Sequence, residues 1–273
     1  MSGRGAVTGH YARAGIAQTL LAAVRAELAA GEALAAAHLA PVDAFHIGGI
    51  AATRHFVPML GLEPGMQVLD IGSGIGGTAR FIASDSGARV TGIDLTAQFV
   101  AAARELSAAV GLDGPTRFAC ASALALPFAA GSFDAALSLH VAMNIADKAG
   151  LYREAARVLR PGAVLALYDV LAGPGEGAFV FPVPWAAGPE TSWLATSQAM
   201  HDLLDAAGFD ILHAQDRHAW ALDVFARMAA MPARPRLGLH LLIGEGFRDR
   251  MARLAANLAA HRCAPWEFVC RRR

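Results

Sequence analysis

Hydrophobic positions recur at two different periods along this chain, and the period switches in a regular order. Ile16, Leu20, Leu21, Val24 and Leu28 stand on one face of a helix over 16–30, which Gly31 punctuates. A further short helical piece is expected to reach Ala40, with Pro41 starting something new, and another helix to run from Ile50 to Leu60. Short apolar runs then alternate with helical ones. Met66 to Ile71 reads as a strand, Thr78 to Ala83 as a helix, Ala88 to Ile93 as a strand, and Thr96 to Val110 as a helix with Phe99, Ala103, Leu106 and Val110 inward. A third strand from Thr116 to Cys120, a fourth through Leu139, a helix from Lys148 to Leu159 and a fifth strand from Ala163 to Asp169 continue the series. This alternation predicts an α/β fold, a doubly wound parallel sheet with helices on both faces.

Beyond the fifth strand the pattern changes. Gly173 to Trp185 is rich in Gly, Pro and aromatic residues and is too long for a simple connection. A helix is expected from Thr191 to Ala207 and a sixth strand from Phe209 to Gln215. An insertion of roughly 217–262 follows, with helical stretches from Trp220 to Met231 and from Phe247 to Ala260, a break at Pro232-Ala233-Arg234-Pro235, and the apolar run Leu237 to Ile243. Residues 1–15 lack periodicity and are expected to be a loose terminus.

Charge and cysteine usage narrow the function classes. The 273 residues carry 23 Lys and Arg against 23 Asp and Glu, so no basic bias favours nucleic acid. Cys120, Cys263 and Cys270 lack metal-type spacing and suit a reducing cytoplasm. No H-x-x-x-H, C-x-x-C or carboxylate cluster suggests a metal. Charges interrupt the alanine-rich N-terminal stretch, so neither a signal sequence nor a membrane span is read there.

The chemistry concentrates where the first strand ends. Val68-Leu69-Asp70-Ile71-Gly72-Ser73-Gly74-Ile75-Gly76-Gly77 is a strand, a tight turn and a helix start. Glycine takes positive φ cheaply and lets backbone approach a ligand, while the free N–H groups of the helix start point outward. Asp94, about twenty residues past the turn at the end of the second strand, can accept both hydroxyls of a ribose. Asp70 argues against a dinucleotide, because a carboxylate there repels a pyrophosphate.

This pattern resembles motif I of class I S-adenosylmethionine-dependent methyltransferases. Asp43-x-Phe45-His46-x-Gly48-Gly49-x-x-Ala52-Thr53 upstream is similar to small-molecule enzymes of the sarcosine/dimethylglycine group, in which the N-terminal segment covers cofactor and substrate. The resemblance implies a Rossmann-like seven-stranded sheet of order 3-2-1-4-5-7-6. Its antiparallel strand 7 is best placed at Trp266 to Cys270. It divides the chain into an N-terminal helical segment (1–60), a cofactor-binding core (61–216), a helical cap insertion (217–262) and the last strand of the core (263–273). The cap either roofs the substrate site or makes a homodimer contact.

By resemblance, Asp70, Gly72, Gly74 and Gly76 hold the amino-acid end of S-adenosylmethionine, and Asp94 holds its ribose. Ser73, Leu95 and His140 belong to the same site. Ser122 stands where the family has an acid for the adenine amino group, leaving backbone of Ala123 and Leu124 to share the recognition. His46 and His140 are candidate catalytic groups, and Phe181, Trp185 and His240 are candidate substrate contacts. The implied activity is methyl transfer to a small molecule, an amine in the nearest group, with S-adenosylhomocysteine as product. Alternatives are O- or C-methylation of a quinone, lipid or natural product, and, in other classes, an NAD-dependent oxidoreductase or a non-catalytic cofactor-binding module.

Overall fold

The computed structural model describes residues 15–231, 236–244 and 246–273. The expected loose terminus, apart from Gly15, and the break at Pro232 to Pro235 lie outside the described residues. Seven strands form one sheet: β1 Gln67–Ile71, β2 Arg89–Asp94, β3 Thr116–Cys120, β4 Phe133–Leu139, β5 Leu159–Ala172, β6 Phe209–Asp216 and β7 Cys263–Arg272. Their order is β3-β2-β1-β4-β5-β7-β6. The pairs on either side of β1 and between β4 and β5 are parallel, and β7 runs antiparallel to both β5 and β6. The fold is the Rossmann-like architecture that the sequence pattern and the resemblance imply.

The two-residue period of the strands sorts the core into two layers. Val68, Val90, Ala135, Leu137 and Tyr168 pack on one face with Ala79 and Ile82 of α4 Gly77–Ser86 and Val100 of α5 Ala97–Ala109. Leu69, Ile71, Ile93, Ala136 and Leu165 pack on the other face, with Leu151 and Tyr152 of α6 Lys148–Val158 and Met200 and Leu204 of α7 Ser197–Ala206. Both faces of β1 are therefore dry, as a central parallel strand requires.

Three helical pieces precede the sheet: α1 Ile16–Arg25, α2 Ala36–Asp43 and α3 Gly49–Phe56, the last continued by a 3₁₀ turn to Leu60. Ile16, Leu20 and Val24 of α1 and Leu39 and Val42 of α2 pack against Ile75, Phe99, Leu106 and Leu242. In the inserted segment, α8 His218–Ala229 and α10 Phe247–Ala259 flank the short α9 His240–Ile243. Ala221, Leu254 and Leu258 from this segment pack with Val183, Trp185 and Met143.

Several boundaries differ from expectation; the helix expected over 16–30 ends at Arg25, and the last strand starts at Cys263 rather than Trp266. Pro41 lies inside α2 rather than after it, near the helix C-terminus, where its missing N–H removes a single bond of a short ladder. Strand β5 runs on to Ala172, because β7 pairs with it as far as Ala172 and Cys263. The helix expected at Thr191 begins at Ser197. Thr196 caps it by accepting the Ala199 N–H at 3.2 Å, and the preceding segment is tied elsewhere, with the Trp193 N–H donating to the Met143 carbonyl at 2.8 Å.

Candidate active site

The glycine turn is built as its composition requires. Gly72, Gly74 and Gly76 all have positive φ. A Cβ on Gly72 would lie 2.3 Å from Val141 Cγ2, so the turn and the segment after β4 approach more closely than a side chain allows. The N–H groups of Gly72 and Ser73 both donate to the Ile93 carbonyl, at 2.8 and 2.9 Å, which fastens the turn to the end of β2. Asp94 completes the join: its Oδ2 accepts the Gly74 N–H at 3.0 Å and its Oδ1 the Thr96 N–H at 2.8 Å. A carboxylate has about four acceptor positions, so each oxygen can still take a hydroxyl.

A cavity of about 630 Å³ opens at these strand ends. Asp70, Gly72, Ser73, Gly74, Asp94, Leu95, His140 and the Ser122–Leu124 segment all face it. Gly76 does not line it; it starts α4, with Phe118 2.7 Å from where its Cβ would be. The Ser122 hydroxyl accepts the Leu124 N–H at 3.2 Å. Asp70 is buried, and its Oδ2 and the Ser73 Oγ find no hydrogen-bond partner among the described residues. Burial, and secondarily the Asp94 charge, push the Asp70 carboxyl up to about 7; burial also raises Asp94. Two carboxyls held up by desolvation beside orphaned acceptors form a site that favours cations and hydrogen-bond donors.

A second cavity, about 780 Å³, adjoins the first, and Phe45, His46 and His140 line both. His140 ends β4 in the left-handed region, φ 55°, with its N–H on the Tyr168 carbonyl at 2.7 Å and its ring 4.9 Å from the Tyr168 ring. Burial holds it neutral, well below the ordinary histidine range, and its Nε2 has no partner among the described residues. The His46 ring lies 6.1 Å away, with Nε2 3.0 Å from both the Gly49 carbonyl and the Thr53 hydroxyl. A carbonyl only accepts, so Nε2 carries the proton and Nδ1 keeps the lone pair. Burial lowers His46 to about 4.

The N-terminal segment is pinned here by a buried ion pair between residues 37 positions apart, for which no local pattern is a signal. Arg80 of α4, 1% exposed, donates Nη2 to Asp43 Oδ2 at 2.8 Å, and Gly77 leaves room for the Asp43 carbonyl. Trp220 of α8 rests on Gly48, where any Cβ would overlap its ring. The N-terminal stretch that the resemblance expects to cover cofactor and substrate is therefore held between α4 and the inserted segment.

Of the expected substrate contacts, Trp185 and His240 line the second cavity, and Phe181 lines neither. Phe181 packs instead on Phe179, 5.0 Å between ring centroids. Trp193 and Asn144 line the first cavity. Trp193 was hidden by the early helix start, for which Thr196 was the available signal. Asn144 fastens the segment after β4 to the long loop by donating to the carbonyls of Trp185 and Thr191 at 3.0 and 2.8 Å. Lys148 donates to the carbonyls of Ala142 and Ile145, each at 2.9 Å, and to that of Trp193.

Comparison with known proteins finds a family match over part of the chain. Residues 69–167 match the family described as Methyltransferase domain. Cycloartenol-C-24-methyltransferase 1 of Oryza sativa subsp. japonica is 38% identical over 117 residues, 42% of this chain and 34% of that protein. The structure of Haemonchus contortus phosphoethanolamine N-methyltransferase 2 with phosphomonomethylethanolamine and S-adenosylhomocysteine is similar in fold. Its TM-score is 0.71 at 21% identity, covering 85% of this chain and 54% of that one. The [4+2]-cyclase SpnF shares the fold over 94% of this chain and 92% of its own, with a TM-score of 0.64 and 24% identity. The chain spans about a third of the length of the curated relative quoted.

Proposed function

We propose, from the premise that residues 69–167 are a methyltransferase domain on the class I fold, that this chain transfers a methyl group from S-adenosylmethionine to a small molecule. The observation that carries this reading is that Asp70 and Asp94 flank the glycine turn on one cavity at the carboxyl ends of β1 and β2. A fold shared with a cyclase does not fix a reaction; the residues of the site do.

The residues present fit the cofactor. The unpartnered Asp70 oxygen would take its ammonium group, the free acceptor positions of Asp94 its ribose hydroxyls, and Leu95 and the Ser122–Leu124 segment its adenine. Gly72, Ser73 and Gly74 supply a wall thin enough for the amino-acid end, and Gly76 starts the helix behind it. When bound, the cofactor would supply an electrophilic sulfonium methyl with a neutral thioether as leaving group. Such a displacement needs alignment and exclusion of water more than acid–base strength. His46 and His140 stand at the junction of the two cavities and would position the acceptor. The neutral Nδ1 of His46 can accept a proton from an acceptor that must lose one.

Among the described residues no helix is long and apolar enough to cross a membrane. The cysteines Cys120, Cys263 and Cys270 are free, which suits the cytoplasm. The test is calorimetric titration of the ligand-stripped chain with S-adenosylmethionine, S-adenosylhomocysteine and NAD. Binding of the first two and not of NAD is expected; binding of NAD alone would overturn the reading.

A further inference from the structure

The second cavity is chemically unlike the first. Val224, Phe225 and Met228 of α8 face Leu239, Phe247 and Met251 across it. Among the described residues, no carboxylate, hydroxyl or amide side chain lines it. Its polar side chains among the described residues are the imidazoles of His46, His140 and His240, the exposed guanidinium of Arg248 and the indole of Trp185, whose N–H already donates to the Ser192 hydroxyl at 3.0 Å. His46 and His140 are held neutral by burial and lie at the end shared with the first cavity. At the far side Met228 and Met231 are 43% and 52% exposed.

We infer that this cavity seats a bulky, largely apolar methyl acceptor, with its reacting polar group beside His46 and His140 and its apolar body between α8 and α9–α10. The inference rests on the methyltransferase reading and narrows its acceptor. A small charged amine would be desolvated here with no carboxylate among the described lining residues to pair with it. It would also leave most of the apolar wall against water. A large apolar body gains roughly 25 cal/mol for each Å² it covers, and methionine side chains adjust to its shape. The size suits such a ligand, since drug-sized molecules occupy pockets of roughly 300–1,000 Å³. The exposed methionines at the rim place the entrance where an extended apolar tail can protrude.

The test uses the uncharged fluorophore N-phenyl-1-naphthylamine on the full chain, with S-adenosylmethionine affinity measured in parallel by calorimetry. The wild type is expected to bind the probe, and 4-octylphenol to displace it while ethanolamine and sarcosine do not. Met251→Glu should weaken probe binding about tenfold or more by placing a charge in the apolar wall. Met228→Glu, at the exposed rim, should weaken it less and serves as the variant whose folding is least at risk. Both should keep the wild-type affinity for S-adenosylmethionine. Unchanged probe binding in Met251→Glu, or S-adenosylhomocysteine release with ethanolamine or sarcosine, would overturn the inference. Failure of S-adenosylmethionine to bind, with the probe arm behaving as expected, would instead remove the methyltransferase reading, because the probe reads the cavity by itself.

Discussion

The two cavities share Phe45, His46 and His140, yet they are assembled in opposite ways. The first sits on the carboxyl ends of paired strands, where the Gly72 and Ser73 N–H groups on the Ile93 carbonyl and the Gly74 N–H on the Asp94 carboxylate hold the turn in place. The second is walled by α2 and α3, which precede the sheet, and by α8, α9 and α10, inserted between β6 and β7, and these elements meet through apolar side chains. Ladder bonds set position to a fraction of an ångström, whereas apolar packing is non-directional and tolerates exchange of side chains of like volume. A cofactor common to many reactions suits the first kind of wall. An acceptor that differs from enzyme to enzyme suits the second.

Substitutions in the first cavity should therefore act on cofactor affinity, and the largest effect belongs to the turn. Gly72→Val combines positive φ with a Cβ 2.3 Å from Val141 Cγ2, and strain of this kind costs about 1–3 kcal/mol before any clash is relieved. Calorimetry should find S-adenosylmethionine binding lost, and thermal unfolding should find a lowered midpoint. Full affinity in this variant would show that the turn does not touch the ligand.

Asp94→Ala removes a charged acceptor and also releases the N–H groups of Gly74 and Thr96. Affinity for S-adenosylmethionine should fall by about 1–3 kcal/mol. An unchanged affinity in the folded variant would take Asp94 out of the site and blur the contrast between the two walls.

The Asp70 carboxyl, pushed up to about 7 from an ordinary value of 3.8, gives a pH test. In the unliganded chain the native state holds a proton there that the unfolded state has lost. This group's contribution to stability is full below pH 3.8 and disappears as pH rises through about 7. A cationic ammonium favours the ionised form, so affinity for S-adenosylmethionine should rise about fivefold from pH 6 to pH 7, where an α-ammonium still keeps its own proton, with a proton released on binding. Calorimetry in buffers of different ionisation enthalpy reads the proton, and Asp70→Asn should abolish the rise.

The smallest effect is a gain. Ser122→Asp should tighten S-adenosylmethionine binding by about 1 kcal/mol, the difference between a neutral and a charge-assisted hydrogen bond. A competition titration against S-adenosylhomocysteine resolves it; no gain would show that backbone of the Ser122–Leu124 segment already satisfies the adenine.

Local pattern determined a great deal of this protein. The alternation of apolar runs and helical stripes set the α/β class, and the sheet order followed from the resemblance that the glycine turn brought with it. Asp70, Asp94, Ser122 and His140 were readable because each stands at or just past a strand end, where the topology leaves a single crevice open. Trp185 stands out by the composition of its loop and His240 as a histidine in an apolar run; that both line the second cavity is a matter of tertiary structure. What only the tertiary structure decided are the contacts between residues far apart in sequence. Arg80 reaches Asp43, Trp220 rests on Gly48, and Trp193 is drawn to the Met143 carbonyl in place of a helix. Strand and turn patterns are written in neighbouring residues because backbone hydrogen bonds and φ preferences are local. The second cavity has no such signature, because its shape is the space left when helices from the two ends of the chain pack on one sheet.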